Sequence, residues 1–211
     1  MSDIVPAALD RYILDLLPPR DPVIAEMEAY AAEHDVPIVG PAVGTLLEIL
    51  ARSIAADRVF ELGSAIGYST AFLARAVGRG GQVTYTDGSA EKAEQARGYL
   101  ERMGFLDRVA IRVGDAVSAL DATTGYYDLI FIDVDKDGYP RALQSAAPRV
   151  RRGGYLVADN VLWSGKVVDS GVSDPATEGI RQFNRRLFAL QEFKTVIVPL
   201  RDGVAIARRE S

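Results

Sequence analysis

From Arg58 to the end of the chain, short apolar runs alternate with stretches of helical periodicity, and this alternation constrains the fold most. Candidate strands are 58–62, 82–86, 108–113, 127–132 and 154–158, with candidate helices between them at 69–77, 90–103, 116–120 and 139–150. Runs such as DLIFI and GYLVA are apolar on both faces, as parallel strands covered by helices require. The pattern predicts a doubly wound, Rossmann-like α/β sheet with helices on both faces. The tail departs from it. After a helix around 177–190, the strand-like runs 193–199 and 203–207 are separated only by Leu200, Arg201 and Asp202. So short a gap cannot hold a crossover helix, so this pair is antiparallel. The expectation is seven strands, five of them parallel, followed by a C-terminal antiparallel hairpin.

Upstream of the alternation the chain reads as helical. Leu9, Ile13, Leu16 and Leu17 keep a helical spacing that stops at Pro18-Pro19. A second helix is expected over 22–33 and a third over 41–55, with Leu46, Leu47 and Leu50 on one face. Residues 1–55 are read as a cap on a core formed by 56–211, all within one domain. The segment 161–174, rich in Gly and Ser, is expected to be a loop over the site.

Composition removes several kinds of chemistry. The chain has no cysteine, which excludes disulfides and thiolate sites and suits a reducing, cytoplasmic setting. Its one histidine, His34, lies in a polar stretch, so a Ser-His-Asp triad or a multi-histidine metal site has no material. No apolar run reaches the roughly 18 residues of a membrane span, and MSDIVPAALDRY lacks the parts of a secretory signal. The net charge of −5 points toward a small molecule rather than nucleic acid.

The first strand leads into Glu61-Leu62-Gly63-Ser64-Ala65-Ile66-Gly67-Tyr68-Ser69. Two glycines between a strand and a helix let the backbone approach a ligand closely, although a plain turn would look the same. The second strand ends at Asp87, where an acid can accept from two ribose hydroxyls. The competing role, capping the next helix, can fall to Ser89. Gly114-Asp115-Ala116 follows the third strand and suits an adenine edge, or a simple Gly-Asp turn. No phosphate cradle is present, so the expected ligand is a nucleoside without phosphates, for which S-adenosylmethionine fits.

The fourth strand runs into Asp133 and the fifth into Asp159-Asn160. Neighbouring parallel strands would bring these hard oxygen donors together, suited to Mg²⁺, Mn²⁺ or Ca²⁺. An Asp-Asn pair can also form a turn or a helix cap, and that alternative stays open at this point. Asp135 and Asp137 read as solvated loop acids. Lys136 reads as a candidate general base, or as a solvent-facing lysine.

Taken together, FELGSAIGYS, Thr86-Asp87, Gly114-Asp115-Ala116, FIDVDKDGY and ADNVLWSG resemble, in order, the cation-dependent class I O-methyltransferases of the catechol and caffeoyl-CoA type. The resemblance covers roughly residues 36 to 208. It implies cofactor contacts from Val39, Glu61, Gly63, Ser64, Ser69, Asp87, Asp115 and Ala116, with Asp133 close by. It implies Asp133, Asp159 and Asn160 as metal ligands, Lys136 as the catalytic lysine and Trp163 beside the substrate. It further implies a homodimer and a small phenolic acceptor. Some bacterial relatives instead methylate a hydroxylated uridine of tRNA, for which Arg149, Arg151 and Arg152, or Arg181, Arg185 and Arg186, would supply a basic patch. A nucleoside-binding α/β protein without chemistry is the remaining alternative.

Overall fold

The computed structural model describes residues 4–211, and Met1, Ser2 and Asp3 at the head of the stretch read for a signal lie outside it. Five parallel strands follow the predicted runs: β1 (Arg58–Leu62), β2 (Gln82–Asp87), β3 (Val109–Val113), β4 (Tyr127–Ile132) and β5 (Val150–Ala158). β6 (Phe193–Val198) and β7 (Val204–Arg209) form the antiparallel hairpin. The sheet order is β3-β2-β1-β4-β5-β7-β6. β7 inserts between β5 and β6 and pairs antiparallel with both, so β6 runs in the direction of the first five strands.

The period-2 alternation of the strands divides the core between two faces. Val59, Val83, Tyr85, Leu129, Phe131 and Val157 pack beneath α2 (Pro22–Glu33), α3 (Gly40–Ser53), α4 (Tyr68–Ala76) and α5 (Ala90–Arg102). Phe60, Leu62, Ile130, Ile132, Leu156 and Ala158 pack beneath α6 (Ala116–Asp121), α7 (Tyr139–Ala146) and α8 (Pro175–Ala189). Among the described residues no helix is long and apolar enough to cross a membrane.

Several strand ends shift by one or two residues from the sequence reading, and two strand starts have a structural cause. Arg108 closes a 3-10 turn, Leu106–Arg108, ahead of β3. β5 begins four residues early, because Arg-Arg-Gly-Gly is an irregularity within the strand: pairing shifts between Tyr127↔Val150 and Leu129↔Tyr155. Gly154 is required there, since a Cβ would lie 2.5 Å from the Asp128 carbonyl oxygen.

The N-terminal cap is uneven. α2 and α3 are anchored in the core through Ile24, Met27, Val43 and Leu47. α1 (Ala7–Leu16) buries no residue and leaves Leu9, Tyr12 and Leu16 between 55% and 68% exposed. The segment 161–174 is only partly loop, since Trp163–Val168 is a 3-10 element broken by left-handed Ser164 and Gly165.

Candidate active site

The winding reverses between β1 and β4, and ligands of open α/β sheets bind at such a switch point, beyond the carboxyl ends of the strands. A cleft of about 1070 Å³ lies there, lined by the ends of β1 to β5, α2 and the 36–39 segment, Trp163 and Arg201. It collects Val39, Gly63, Ser64, Ser69, Asp87, Asp115, Ala116, Asp133, Lys136, Asp159, Asn160 and Trp163. Of the expected site residues only Glu61 is missing from the wall.

Glu61 is fully buried beneath the glycine loop. The hydroxyls of Ser64, at 2.7 Å, and Thr70 donate to its Oε2, while its buried Oε1 has no hydrogen-bond partner. Burial pushes its carboxyl up to about 7 despite these donors, with the Asp133 charge adding to the rise. Through these bonds it holds the loop from below. Gly63, above it, has φ +84°, and a Cβ there would sit 2.3 Å from the Asp133 carbonyl oxygen. The glycine loop thus abuts the candidate metal site directly.

Two acids are more occupied than the sequence suggested. Ser89 does cap α5, accepting from Lys92 N–H. Asp87 is nevertheless engaged, with Oδ2 accepting from Ala65 N–H at 2.9 Å and Oδ1 from Ser89 N–H at 2.8 Å. Each of its oxygens keeps a further lone pair for a ribose hydroxyl. The Asp115 carboxylate caps α6 through Ser118 and pairs with Arg141 at 2.8 Å. Hydrogen bonds from Ser118 and Arg141 hold it down at about 2. What this corner offers an adenine is backbone and the buried Ala116 rather than a free carboxylate.

Asp133 and Asp159 extend β4 and β5 one position past the paired Ile132↔Ala158, and Asp159 N–H donates to Ile132 O. Adjacent parallel strands lie about 4.8 Å apart, so the two carboxylates emerge side by side. Asp159 is buried, and its Oδ1 has no hydrogen-bond partner. Burial and the neighbouring Asp133 charge push it up to about 7. Asn160, at φ +55°, turns the chain at the same edge. Two converging carboxylates, one with an orphaned buried oxygen, beside an amide fit a hard divalent cation. Among the described residues no group of three acidic or histidine side chains is arranged to hold a metal, so the candidate set is two acids and an amide.

Lys136 opens a 3-10 turn, Lys136–Gly138, between β4 and α7. Its Nζ donates to Asp133 Oδ1 at 2.7 Å, Tyr139 Oη at 3.0 Å and Val134 O at 3.3 Å. It faces the cleft and is not a solvent-facing lysine. Trp163 is left-handed at φ +47°, and its indole N–H is buried without a partner. Asp202 holds this segment through Ser164 N–H and Leu162 N–H. Arg181 binds its far end, donating to the carbonyls of Lys166, Val167, Asp169 and Val172.

The sequence reading missed several wall residues, among them Glu28, Tyr68 and Arg201. Tyr68, the tyrosine of GYS, donates to Glu28 at 2.7 Å and ties α4 to α2. Arg201 donates to Ile38 O at 2.9 Å, seated where a Cβ on Gly40 would come within 2.9 Å of its guanidinium. Of the six arginines considered for RNA, three are engaged within the fold, and Arg152, Arg185 and Arg186 are exposed. Arg149 donates to Gly125 O, Leu120 O and Thr123, Arg151 pairs with Asp128, and Arg181 holds the loop. His34 is exposed and stacks on Tyr30 with ring centroids 4.1 Å apart, away from any chemistry.

Comparison with known proteins agrees with this geometry. A family profile described as O-methyltransferase matches residues 20–210. A protein of Niastella koreensis named catechol O-methyltransferase is 34% identical over 98% of this chain and 99% of its own length. One of the same name from Mycobacterium tuberculosis is 36% identical over 77% of this chain and 76% of its own. The crystal structure of an O-methyltransferase from Bacillus cereus in complex with SAH superposes with a TM-score of 0.88 at 32% identity, covering 96% of this chain and 97% of that one. The chain belongs to the S-adenosylmethionine-dependent O-methyltransferase family.

Proposed function

We propose that this enzyme methylates one of two vicinal hydroxyls on a small phenolic, catechol-like acceptor, with a divalent cation held by Asp133, Asp159 and Asn160. The observation that carries the reading is the pair of carboxylates at adjacent strand ends, one with an orphaned buried oxygen, beside Lys136. The names of the two catechol O-methyltransferase relatives point the same way. When bound, such a cation, Mg²⁺ in the first place and Mn²⁺ or Ca²⁺ otherwise, lowers the pKa of a coordinated hydroxyl.

The chain's own residues do the rest. The glycine loop, Asp87 and Ala116 hold the nucleoside, and Val39 closes over its methionine part. The Lys136 ammonium, held beside Asp133, stabilises the negative charge left on the attacking oxygen as its proton passes to solvent. Trp163 walls the acceptor ring. The oxygen would then attack the sulfonium methyl in line, the S–CH3 bond breaking with its electron pair to sulfur to leave S-adenosylhomocysteine, so alignment and charge placement supply most of the rate. In this reading the enzyme is cytoplasmic. It is also a homodimer, with the exposed Leu9, Tyr12 and Leu16 of α1 covered by a second copy.

A metal-supplemented methyl-transfer screen over catechols, hydroxycinnamates, flavonoids and undermodified tRNA tests the acceptor class. Transfer to catechols and none to tRNA is expected. Transfer confined to tRNA would overturn the reading.

A further inference from the structure

Tyr139 is fully buried and does not line the cleft, so it cannot touch an acceptor or a cofactor. Its hydroxyl nevertheless meets the backbone of the candidate ligand Asp159 and the ammonium of Lys136, which in turn binds Asp133. It donates to Asp159 O at 2.8 Å, with Ile132 O more distant at 3.4 Å. A phenol has one proton, so toward Lys136 it can only accept, and the 3.0 Å contact is a bond from the lysine. Beyond the last ladder bond, Asp159 N–H to Ile132 O, the two chains separate. β4 turns into the 3-10 element and β5 into left-handed Asn160.

We infer that Tyr139 is a positioning residue, whose hydroxyl fixes the Lys136 ammonium and the Asp159 backbone relative to each other. This rests on the catalytic reading given above. With Asp133 Oδ1 and Val134 O, Tyr139 Oη supplies the third acceptor for the three ammonium protons of Lys136, so Nζ is held from three directions. The ring is held independently, edge-on to Phe183 of α8 with centroids 5.1 Å apart. Loss of the hydroxyl therefore leaves the ring in place and releases the two groups it joins. Lys136 keeps two acceptors but gains freedom to swing, and the Asp159 carbonyl loses its donor.

Tyr139→Phe tests this with three measurements. Methyl transfer to catechol by the wild type is scored first, because its absence would count against the catalytic reading and not against this one. Against an active wild type, Tyr139→Phe should lose about ten- to hundred-fold in kcat, with KM for S-adenosylmethionine within about twofold. In a Lys136→Ala background the same change should cost less than about twofold, measured by single-turnover transfer of labelled methyl. Mn²⁺ affinity, read by electron paramagnetic resonance without turnover, should weaken several-fold through the freed Asp159 segment. A hydroxyl that merely stabilises the fold would lower Tm and leave the kcat-to-KM split and the Mn²⁺ affinity unchanged. That result, or equal losses with and without Lys136, overturns the inference. Unchanged Mn²⁺ affinity overturns it even where no turnover is seen.

Discussion

A Cβ on Gly179 would lie 2.3 Å from the carbonyl oxygen of Lys136, so α8 can seat against the turn that carries the lysine only because this position has no side chain. The neighbouring contact, 2.8 Å to Asp137 Cα, is also backbone and cannot swing aside.

Gly179→Ala separates this packing role from helix propensity. In an ordinary exposed helix the change gains roughly 1 kcal/mol. Here it should lower Tm and reduce kcat at least tenfold by displacing Lys136, with cofactor affinity little changed. Thermal denaturation and steady-state kinetics check it, and a rise in Tm with normal kcat would contradict the packing.

Glu61 sets a pH dependence of stability. Its folded value, about 7, is raised above the ordinary 4.5. The stability tied to its protonated form is therefore fully present below about 4.5 and is lost as pH rises through about 7. The loss is at most on the order of 3 kcal/mol. Glu61→Gln should accordingly gain Tm relative to wild type at pH 8 and gain little at pH 5. An equal difference at both pH values would show that the carboxyl does not titrate in this range.

Asp159 should show the opposite effects of one substitution with and without metal. Burial beside Asp133 raises its pKa, so the metal-free protein loses stability as pH rises from about 4 to about 7. Asp159→Asn should raise the Tm of the chelated protein at pH 8. It should also abolish both the Tm gain on adding Mg²⁺ or Mn²⁺ and the activity. A Mg²⁺-dependent Tm gain that survives the substitution would remove Asp159 from the metal site.

The apolar face of α1 bears on assembly. Leu9→Glu with Tyr12→Glu should convert a dimer to a monomer in sedimentation, leaving the core intact because neither side chain is buried. A wild-type monomer, or a double variant that stays dimeric, would show that α1 is not the dimer contact.

Much of this arrangement was legible in the sequence because the strands are apolar on both faces and end in acids. Asp133 and Asp159 could be placed at one edge from their strands alone, and the short gap at 200–202 gave the hairpin. The position of β7 inside that hairpin pairing, between β5 and β6, could not be read, since periodicity does not encode strand order. Asp87 and Asp115 looked free because the backbone groups they cap become visible only once the turns are built. Gly179 and Tyr139 look like an ordinary helix residue and an ordinary core residue until α8 packs on the 136–138 turn. Trp163 and Ser164 carry no signal for left-handed backbone, and the Asp202 contact to Ser164 N–H comes from the distant hairpin.

The proposed methyl transfer is assisted by a cation on Asp133, Asp159 and Asn160. Its most direct test is transfer from S-adenosylmethionine to catechol in excess EDTA, followed by titration with Mg²⁺. Activity should vanish with the chelator and return as free Mg²⁺ exceeds it. Full activity throughout in excess chelator would contradict the account.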